Sequence, residues 1–158
     1  MSAFFKGPKN SFVWCPEQDG YVFGSLPQMN SGRDIVLGGD IFLKIGRHFG
    51  PNSGFGANHI WADHMAEIAS FHRLEGIDHF YGEALDLVVS YVTAIIQPGT
   101  PVYCEFASIG KYRPAVLSSK AGTVILEERE DEYGECYYSV VTAYDLRRPK
   151  GTLIGRVL

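Results

Sequence analysis

The segment TVILEEREDEYGECYYSVVTAY, residues 123–144, contains two stretches that follow a period of two. Such a period is typical of β-strands with one buried face. The acidic residues between the two stretches, with the turn residues at 131–134, indicate a solvated hairpin tip. The segment therefore predicts an antiparallel pair of strands at 123–128 and 136–144.

The same pattern continues on both sides of this pair. Residues 102–106 and 114–118 are predicted as two further strands, separated from the pair and from each other by glycine-containing turns. Residues 152–158 are predicted as a short edge strand. The C-terminal part of the chain therefore predicts four strands and a fifth at one edge.

Upstream of these strands the spacing of apolar residues changes. Residues 60–71 and 85–96 place apolar side chains three and four positions apart, which predicts two amphipathic helices. Two short β-type runs, 35–37 and 41–45, flank a Gly-Gly pair and predict a hairpin. The glycine-rich stretch 48–58 is predicted as a loop.

This order of elements predicts an α+β fold, with helices packed on one face of a four- to five-stranded antiparallel sheet and an N-terminal hairpin. Residues 1–33, rich in Gly, Pro, Ser and Asn, are predicted as an irregular lead-in. Residues 34–158 are predicted as a single α+β domain of catalytic type. A chain of 158 residues is long enough to bury its own core.

Composition and charge exclude several classes of protein. The net charge of −4 argues against a broad DNA-coating surface, and no apolar run is long enough to span a bilayer. Neither DNA nor a membrane is therefore an expected partner. Three cysteines without a CxxC spacing predict reduced thiols in a cytosol-like compartment. Negative charge is concentrated between Ile60 and Ser108, and the rest of the chain remains compatible with a small anionic substrate.

The functional hypothesis starts from SGFGANHIWADH, residues 53–64. Asn58 is predicted to cap the first helix, which would leave His59 in or before its first turn. His59 and His64 could then converge at a helix end whose unpaired amides and partial positive charge favour a phosphate oxygen. Two imidazoles with ordinary pKa values of about 6.5 beside a phosphate suit proton transfer at neutral pH.

Two other interpretations of these histidines stay open. His64 shares a stripe with apolar residues of the same helix, so it is also consistent with a hydrogen-bonded histidine at the core boundary. The second interpretation is a metal enzyme that uses His48, His59 and His64. Positions 59 and 64 lie about 140° apart around a regular helix, so both could not hold one ion from a continuous helix.

The last long strand contributes two hydroxyl groups. A period of two places Thr142 and Tyr144 on one face of the strand, together with Tyr138 and Val140. Hydroxyls on a sheet face can hold a phosphate and position a base, although Thr and Tyr are also common strand residues.

A cation is predicted before the strand 114–118. Lys111 and Arg113 both lie at this boundary, where either could stabilise the extra negative charge of a phosphorane. The same two residues are also consistent with an ordinary solvated turn. The sequence does not choose between them.

A GFGxxHIWxxH-like segment that opens a helical region, followed by a sheet whose last long strand ends in VVTAY, resembles the barnase–EndoU–colicin–RelE group of RNases. The likeness is to the phage-encoded and polymorphic-toxin branches, and it covers about residues 35–145. It implies RNA cleavage without a metal or cofactor. The ribose 2′-hydroxyl attacks its own phosphate and leaves a 2′,3′-cyclic end.

The resemblance also implies roles by position. The implied site residues are His59 as general base or acid, His64 as its partner, Thr142 and Tyr144 as holders of phosphate and base, and Lys111 or Arg113 as the cation. It further implies a toxin or effector that cleaves tRNA or another RNA in the cytoplasm and is neutralised by an immunity or antitoxin protein. The alternative is a non-catalytic phage or mobile-element binding module with the same fold.

Overall fold

The computed structural model of the chain describes residues 5–32, 34–72, 84–106, 113–145, 148 and 151–158. The helices in these ranges are α1 (Gly56–Phe71), α2 (Ala84–Ile95) and a short 3₁₀ helix at Pro16–Gln18. The strands are β1 (Val22–Leu26), β2 (Met29–Ser31), β3 (Asp34–Val36), β4 (Gly39–Phe42), β5 (Arg47–Gly50), β6 (Ser53–Phe55), β7 (Pro101–Cys104), β8 (Ala115–Ser118), β9 (Gly122–Glu130), β10 (Cys136–Tyr144) and β11 (Thr152–Arg156).

Seven of these strands form one mixed sheet in the order β1-β4-β10-β9-β8-β7-β11. The pair β4–β10 is parallel, with Ile41 opposite Tyr138, whereas the other neighbours are antiparallel. The predicted α+β class is confirmed. The predicted four- to five-stranded antiparallel sheet is wrong, because β1 and β4 extend the sheet beyond β10 and β4 joins it in parallel.

The predicted N-terminal hairpin is also wrong. β3 pairs back with β2, and β4 pairs with β1 and β10, so the two runs that flank the Gly-Gly pair do not pair with each other. A Cβ on Gly39 would lie 2.7 Å from the carbonyl oxygen of Cys136. The glycine therefore allows β4 to approach β10 instead of forming a turn. Residues 22–26 and 29–31 are strands, so the prediction of an irregular lead-in fails there.

Both helices pack against the middle of the sheet and against each other. α1 contacts β10, and α2 contacts β8 and β9. The two predicted helices are thus present, although α1 begins earlier than the apolar spacing indicated. Their buried apolar side chains include Ile60, Trp61, Ile68, Val88, Val92 and Ile95. In the described ranges no helix is long and apolar enough to cross a membrane.

The start of α1 differs from the prediction. The predicted loop 48–58 forms the β5–β6 hairpin and the first turn of the helix, and Phe55 is the N-cap residue. Asn58 lies inside the helix with its side chain fully buried. Its Oδ1 accepts a hydrogen bond from the amide of Phe5 at 2.8 Å, and its Nδ2 donates to the carbonyl of Gly46 at 3.2 Å. These long-range bonds override the local preference of Asn for a helix cap.

The first amides of α1 are used inside the protein. Ala57 N–H donates to the carbonyl of Lys44, and Asn58 N–H donates to that of Ile45, both at 2.9 Å. These two amides are therefore not available to a ligand. The prediction that this helix end provides a phosphate site is wrong for these groups, because the chain after β4 already satisfies them.

The parallel contact of β4 gives a test of the core. Ile41 is fully buried, so Ile41→Ala is expected to lower the free energy of unfolding by about 2–5 kcal/mol through lost burial and a cavity. Ile35→Ala is the matched control, because Ile35 is 52% exposed and is expected to change stability by at most about 0.5 kcal/mol. Urea unfolding of both variants is the measurement. Equal losses would contradict this placement of β4.

Candidate functional site

A bulge in β10 sets the position of its two hydroxyl groups. Val140 lies opposite Leu126 on β9, but Thr142 lies opposite Ile125, so Val141 is an extra residue in β10. Residues directly opposite each other in an antiparallel pair share a face. Thr142 and Tyr144 therefore lie on the face of Ile125. The prediction that they share a face with Tyr138 and Val140 is wrong, because the bulge shifts the alternation.

The β5–β6 hairpin brings a histidine against the start of α1. His48 on β5 lies opposite Gly54 on β6, whose φ is 140°. A Cβ on Gly54 would lie 2.9 Å from Nδ1 of His59. The glycine thus leaves room for the His59 ring, which stacks on His48 at a centroid distance of 5.4 Å. The Nδ1 atoms of the two rings are 3.1 Å apart, a hydrogen bond in which one ring donates.

Asp63 completes this group one helical turn after His59. Its Oδ2 lies 3.6 Å from Nε2 of His59, and its Oδ1 lies 3.8 Å from Nδ1 of His48. The backbone amide of Asn52, in the hairpin turn, donates to Asp63 Oδ2 at 3.1 Å. The structure therefore groups His48 and His59 with Asp63. The third histidine of the predicted metal set, His64, has a different partner.

His64 lies at a kink in α1, where its φ of −130° and ψ of 21° are not helical. Its Nδ1 is 2.8 Å from Oε1 of Glu67. The other oxygen of Glu67 accepts a hydrogen bond from the amide of Asp145 at 2.8 Å, just after β10 ends. An ionised Glu67 requires Nδ1 to be the donor, which leaves Nε2 as the nitrogen that can exchange a proton. His64 is thus hydrogen-bonded, as the interpretation of a histidine at the core boundary predicted. Its ring also lies 5.7 Å from the ring of Tyr144, measured between centroids.

His59, Asp63 and His64 line one cavity of about 450 Å³ between the start of α1, the hairpin and the end of β10. Of the six residues that the sequence singles out, the cavity is lined by His59, His64, Arg113, Thr142 and Tyr144. Lys111 lies outside the described residues. The hydroxyl oxygen of Thr142 is buried and has no hydrogen-bond partner in the described part of the chain.

A second, smaller cavity adjoins the first and carries positive charge. It has a volume of about 270 Å³ and shares Arg113 with the first cavity. Lys9, Lys44 and Arg129 also line it. Arg113 and Arg129 both contact Glu127, at 2.9 and 3.1 Å. The positively charged side chains that line this cavity therefore outnumber its single carboxylate.

Two acidic partners of the histidines were missed from sequence. Asp63 follows His59 by four positions and Glu67 follows His64 by three, spacings that place each pair on neighbouring positions of a helix. That signal was available. Lys44 is 5% exposed, and its Nζ lies 5.4 Å from the centre of the Tyr137 ring; this contact carried no such signal, because Lys44 and Tyr137 are distant in sequence.

Burial controls the protonation of two groups in the cavity. Burial lowers the pKa of His59 from its ordinary 6.5; Asp63 opposes this effect, and charged His48 and His64 add to it. The neutral imidazole of His59 therefore predominates at pH 7. Burial also raises the pKa of the Tyr144 phenol, which keeps it protonated and able to donate a hydrogen bond.

Comparisons with protein-family models, with curated proteins and with solved structures find no match for this chain.

The electrostatics of His59 can be measured by NMR titration of its ring protons. The midpoint is expected below 6.5, and Asp63→Asn should lower it further because the carboxylate raises the pKa of His59. His48→Gln should raise it, because charged His48 opposes protonation. Asp86→Asn, on the exposed side of α2, is the control and should leave the midpoint unchanged. A midpoint above 6.5 in the unchanged protein contradicts the burial of the ring.

Proposed function

We propose that this protein is an endoribonuclease that cleaves RNA through attack of a ribose 2′-hydroxyl on the adjacent phosphate. One observation carries the proposal. Two histidines, an arginine and Thr142, whose buried hydroxyl has no partner among the described residues, line one cavity. A buried hydroxyl without a partner is costly in a native protein, and a phosphate oxygen would satisfy it.

His59 is the proposed general base. Its imidazole is largely neutral at pH 7, because burial lowers its pKa, and a neutral ring nitrogen can accept the proton of the 2′-hydroxyl. The oxygen that loses this proton then forms a bond to phosphorus. Asp63, within 3.6 Å of the ring, stabilises the imidazolium that results.

Arg113 and Thr142 are proposed to stabilise the phosphorane. Charge develops on the phosphate oxygens during attack, and donors already fixed in the cavity act on it without further reorganisation. Arg113 is the one of the two predicted cations that the structure describes, and it lines the cavity. The hydroxyl of Thr142 donates a hydrogen bond to a phosphate oxygen. The protonated phenol of Tyr144 provides a further hydrogen-bond donor or a surface on which a nucleobase stacks.

His64 is the proposed general acid. The bond from phosphorus to the 5′-oxygen breaks, and this oxygen takes the proton of His64. The products are a 2′,3′-cyclic phosphate and a 5′-hydroxyl. Glu67 fixes the orientation of the ring, and its second bond to the Asp145 amide ties the ring to the end of β10. Since side chains supply base, acid and positive charge, the proposed steps require no metal or cofactor.

The second cavity supports RNA as the substrate. Phosphates on either side of the cleaved bond need cations, and Lys9, Lys44 and Arg129 lie beside the proposed catalytic cavity. Such a local patch can serve a substrate that engages the protein over a few nucleotides, which is consistent with a net charge of −4. A tRNA arm is a substrate of this kind.

The biological setting is proposed from the sequence resemblance alone. It is a toxin or effector that acts in the cytoplasm on tRNA or another RNA and is neutralised by an immunity or antitoxin protein. A non-catalytic module with this fold would bind a partner and leave RNA intact, so an RNA digest separates the two.

Cleavage of total tRNA and of a synthetic RNA in excess chelator is the direct test. The unchanged protein is expected to release 2′,3′-cyclic phosphate ends, and His59→Ala and His64→Ala should each lower the rate by about 10²–10⁴-fold. His72→Ala is the matched control, since its ring bonds the Leu87 carbonyl outside the cavity, and it should retain cleavage. Intact RNA with the unchanged, folded protein would overturn the proposal.

The phosphate-holding residues give a second test. Thr142→Val keeps the size of the side chain but removes the donor, and is expected to lower kcat by about 10²–10³-fold. Thr152→Val, on the exposed edge strand β11, should have no effect. Arg113→Ala should slow cleavage, whereas Arg156→Ala should not, because Arg156 bonds Gly99 at the far edge of the sheet. Equal rates in Thr142→Val and Thr152→Val would remove Thr142 from the mechanism.

A further inference from the structure

We propose that His48, His59 and Asp63 bind a divalent transition-metal ion, with Zn²⁺ as the best-suited ion, and that the bound ion switches off RNA cleavage. The inhibitory part rests on the proposed ribonuclease function, because it depends on His59 as the base. The binding part depends only on the three side chains.

The donor set has the chemistry of such a site. Two imidazoles and a carboxylate are common zinc ligands, and a site with three protein ligands leaves a fourth position for water. Nitrogen donors favour zinc, nickel or cobalt over magnesium and calcium, which prefer oxygen ligands. Cleavage without a metal stays a prediction, and the metal site proposed here concerns regulation only.

The distances between donor atoms are close to those required. Bonds of about 2.0–2.1 Å in a tetrahedral site separate the ligand atoms by about 3.3 Å. The Nδ1 atoms of His48 and His59 are 3.1 Å apart, and Nδ1 of His48 is 3.8 Å from the Asp63 carboxylate. One donor atom from each of the three residues falls within 4.8 Å of the others. The donor atoms of the three residues therefore lie near the spacing that one bound ion requires.

Two elements, β5 and α1, hold these ligands in place. His48 comes from β5, His59 from the first turns of α1, and Asp63 from the following turn. The Asn52 amide orients the carboxylate, which is the kind of outer contact that supports metal ligands. An ion can reach the group, because the side chains of His48 and Asp63 are 19% and 16% exposed.

The position of the group gives the regulatory consequence. His59 and Asp63 also line the larger cavity, so an ion bound there lies beside the reacting phosphate. A neutral imidazole that coordinates zinc through one nitrogen carries its proton on the other, so neither nitrogen can accept a proton from the 2′-hydroxyl. Metal binding and base catalysis therefore exclude each other at His59. Cleavage is expected to proceed in chelator and to stop when zinc is added.

Zinc binding can be measured without RNA. The full chain, freed of metal by chelation, is titrated with ZnCl₂ by calorimetry, and the bound metal is then counted by elemental analysis. One zinc per chain is expected, with affinity at least about tenfold lower in His48→Gln and in Asp63→Asn. His72→Ala is the matched histidine control and should bind as the unchanged protein does. MgCl₂ should give no binding at this site.

The outcomes of this titration are decisive for the site. Unchanged zinc binding in both His48→Gln and Asp63→Asn would overturn it, and would point to other groups such as the partly exposed Cys136. No zinc binding by the unchanged protein would also overturn it. Circular dichroism checks that the variants are folded. If one variant does not fold, the other still tests the site.

The inhibitory step is tested with RNA added. Zinc should stop cleavage by the unchanged protein at concentrations that match its binding, and His48→Gln should require at least about tenfold more zinc for the same inhibition. Zinc binding without any RNA cleavage would overturn the ribonuclease proposal and keep the site. Cleavage at equal rates with and without bound zinc would keep the ribonuclease and the site, but overturn the regulation.

Discussion

The extra residue Val141 in β10 is the constraint on which the arrangement of the cavity depends. A regular strand would point Thr142 and Tyr144 toward the side occupied by Tyr138 and Val140, which are buried in the core. The bulge keeps the apolar side chains of the strand inside, because Ala143 takes the buried position that follows it. Both hydroxyl-bearing side chains are then available to the cavity. One inserted residue thus separates the core from the polar site within a single strand.

The same cavity is lined by two histidines in different environments. His59 is buried against His48, and this burial disfavours its protonated form, whereas the nearby carboxylate of Asp63 favours it. His64 is more exposed and bonds directly to Glu67. The proposed roles follow from this difference, since neither ring is distinguished by its residue type.

Local patterns predicted the parts of this fold whose signals lie within one element. The spacing of Val88, Val92 and Ile95 predicts α2, and the alternation at 123–144 predicts the β9–β10 pair, because each pattern follows from burial of one face. The parallel pairing of β4 with β10 has no local signal. It is fixed by contacts far apart in sequence, such as the bond from the Tyr138 hydroxyl to the Leu37 carbonyl. The bulge at Val141 has no signal in the residue types of the strand. Alternation alone therefore placed Thr142 and Tyr144 on the wrong face.

The candidate site shows the same division. Residue chemistry singled out His59, His64, Arg113, Thr142 and Tyr144, and these residues line one cavity, although their roles stay predictions. Asn58 was predicted to be a cap from its local preference, whereas its side chain bonds the distant Phe5 backbone. His48 was grouped with His64, whereas the hairpin brings it to Asp63 instead. Pairing between separated segments decided each of these differences.

The parallel contact between β4 and β10 has a consequence for when the cavity appears during folding. Its walls come from residues as far apart as Asn52 and Tyr144, and the strand that carries the hydroxyls is held by a segment near the other end of the chain. Contacts between such distant segments require the closure of long loops, which slows folding. A chain in which β10 has not yet paired with β4 lacks one wall of the cavity. The complete polar pocket therefore arises only after β10 has paired with β4, whatever chemistry it then performs.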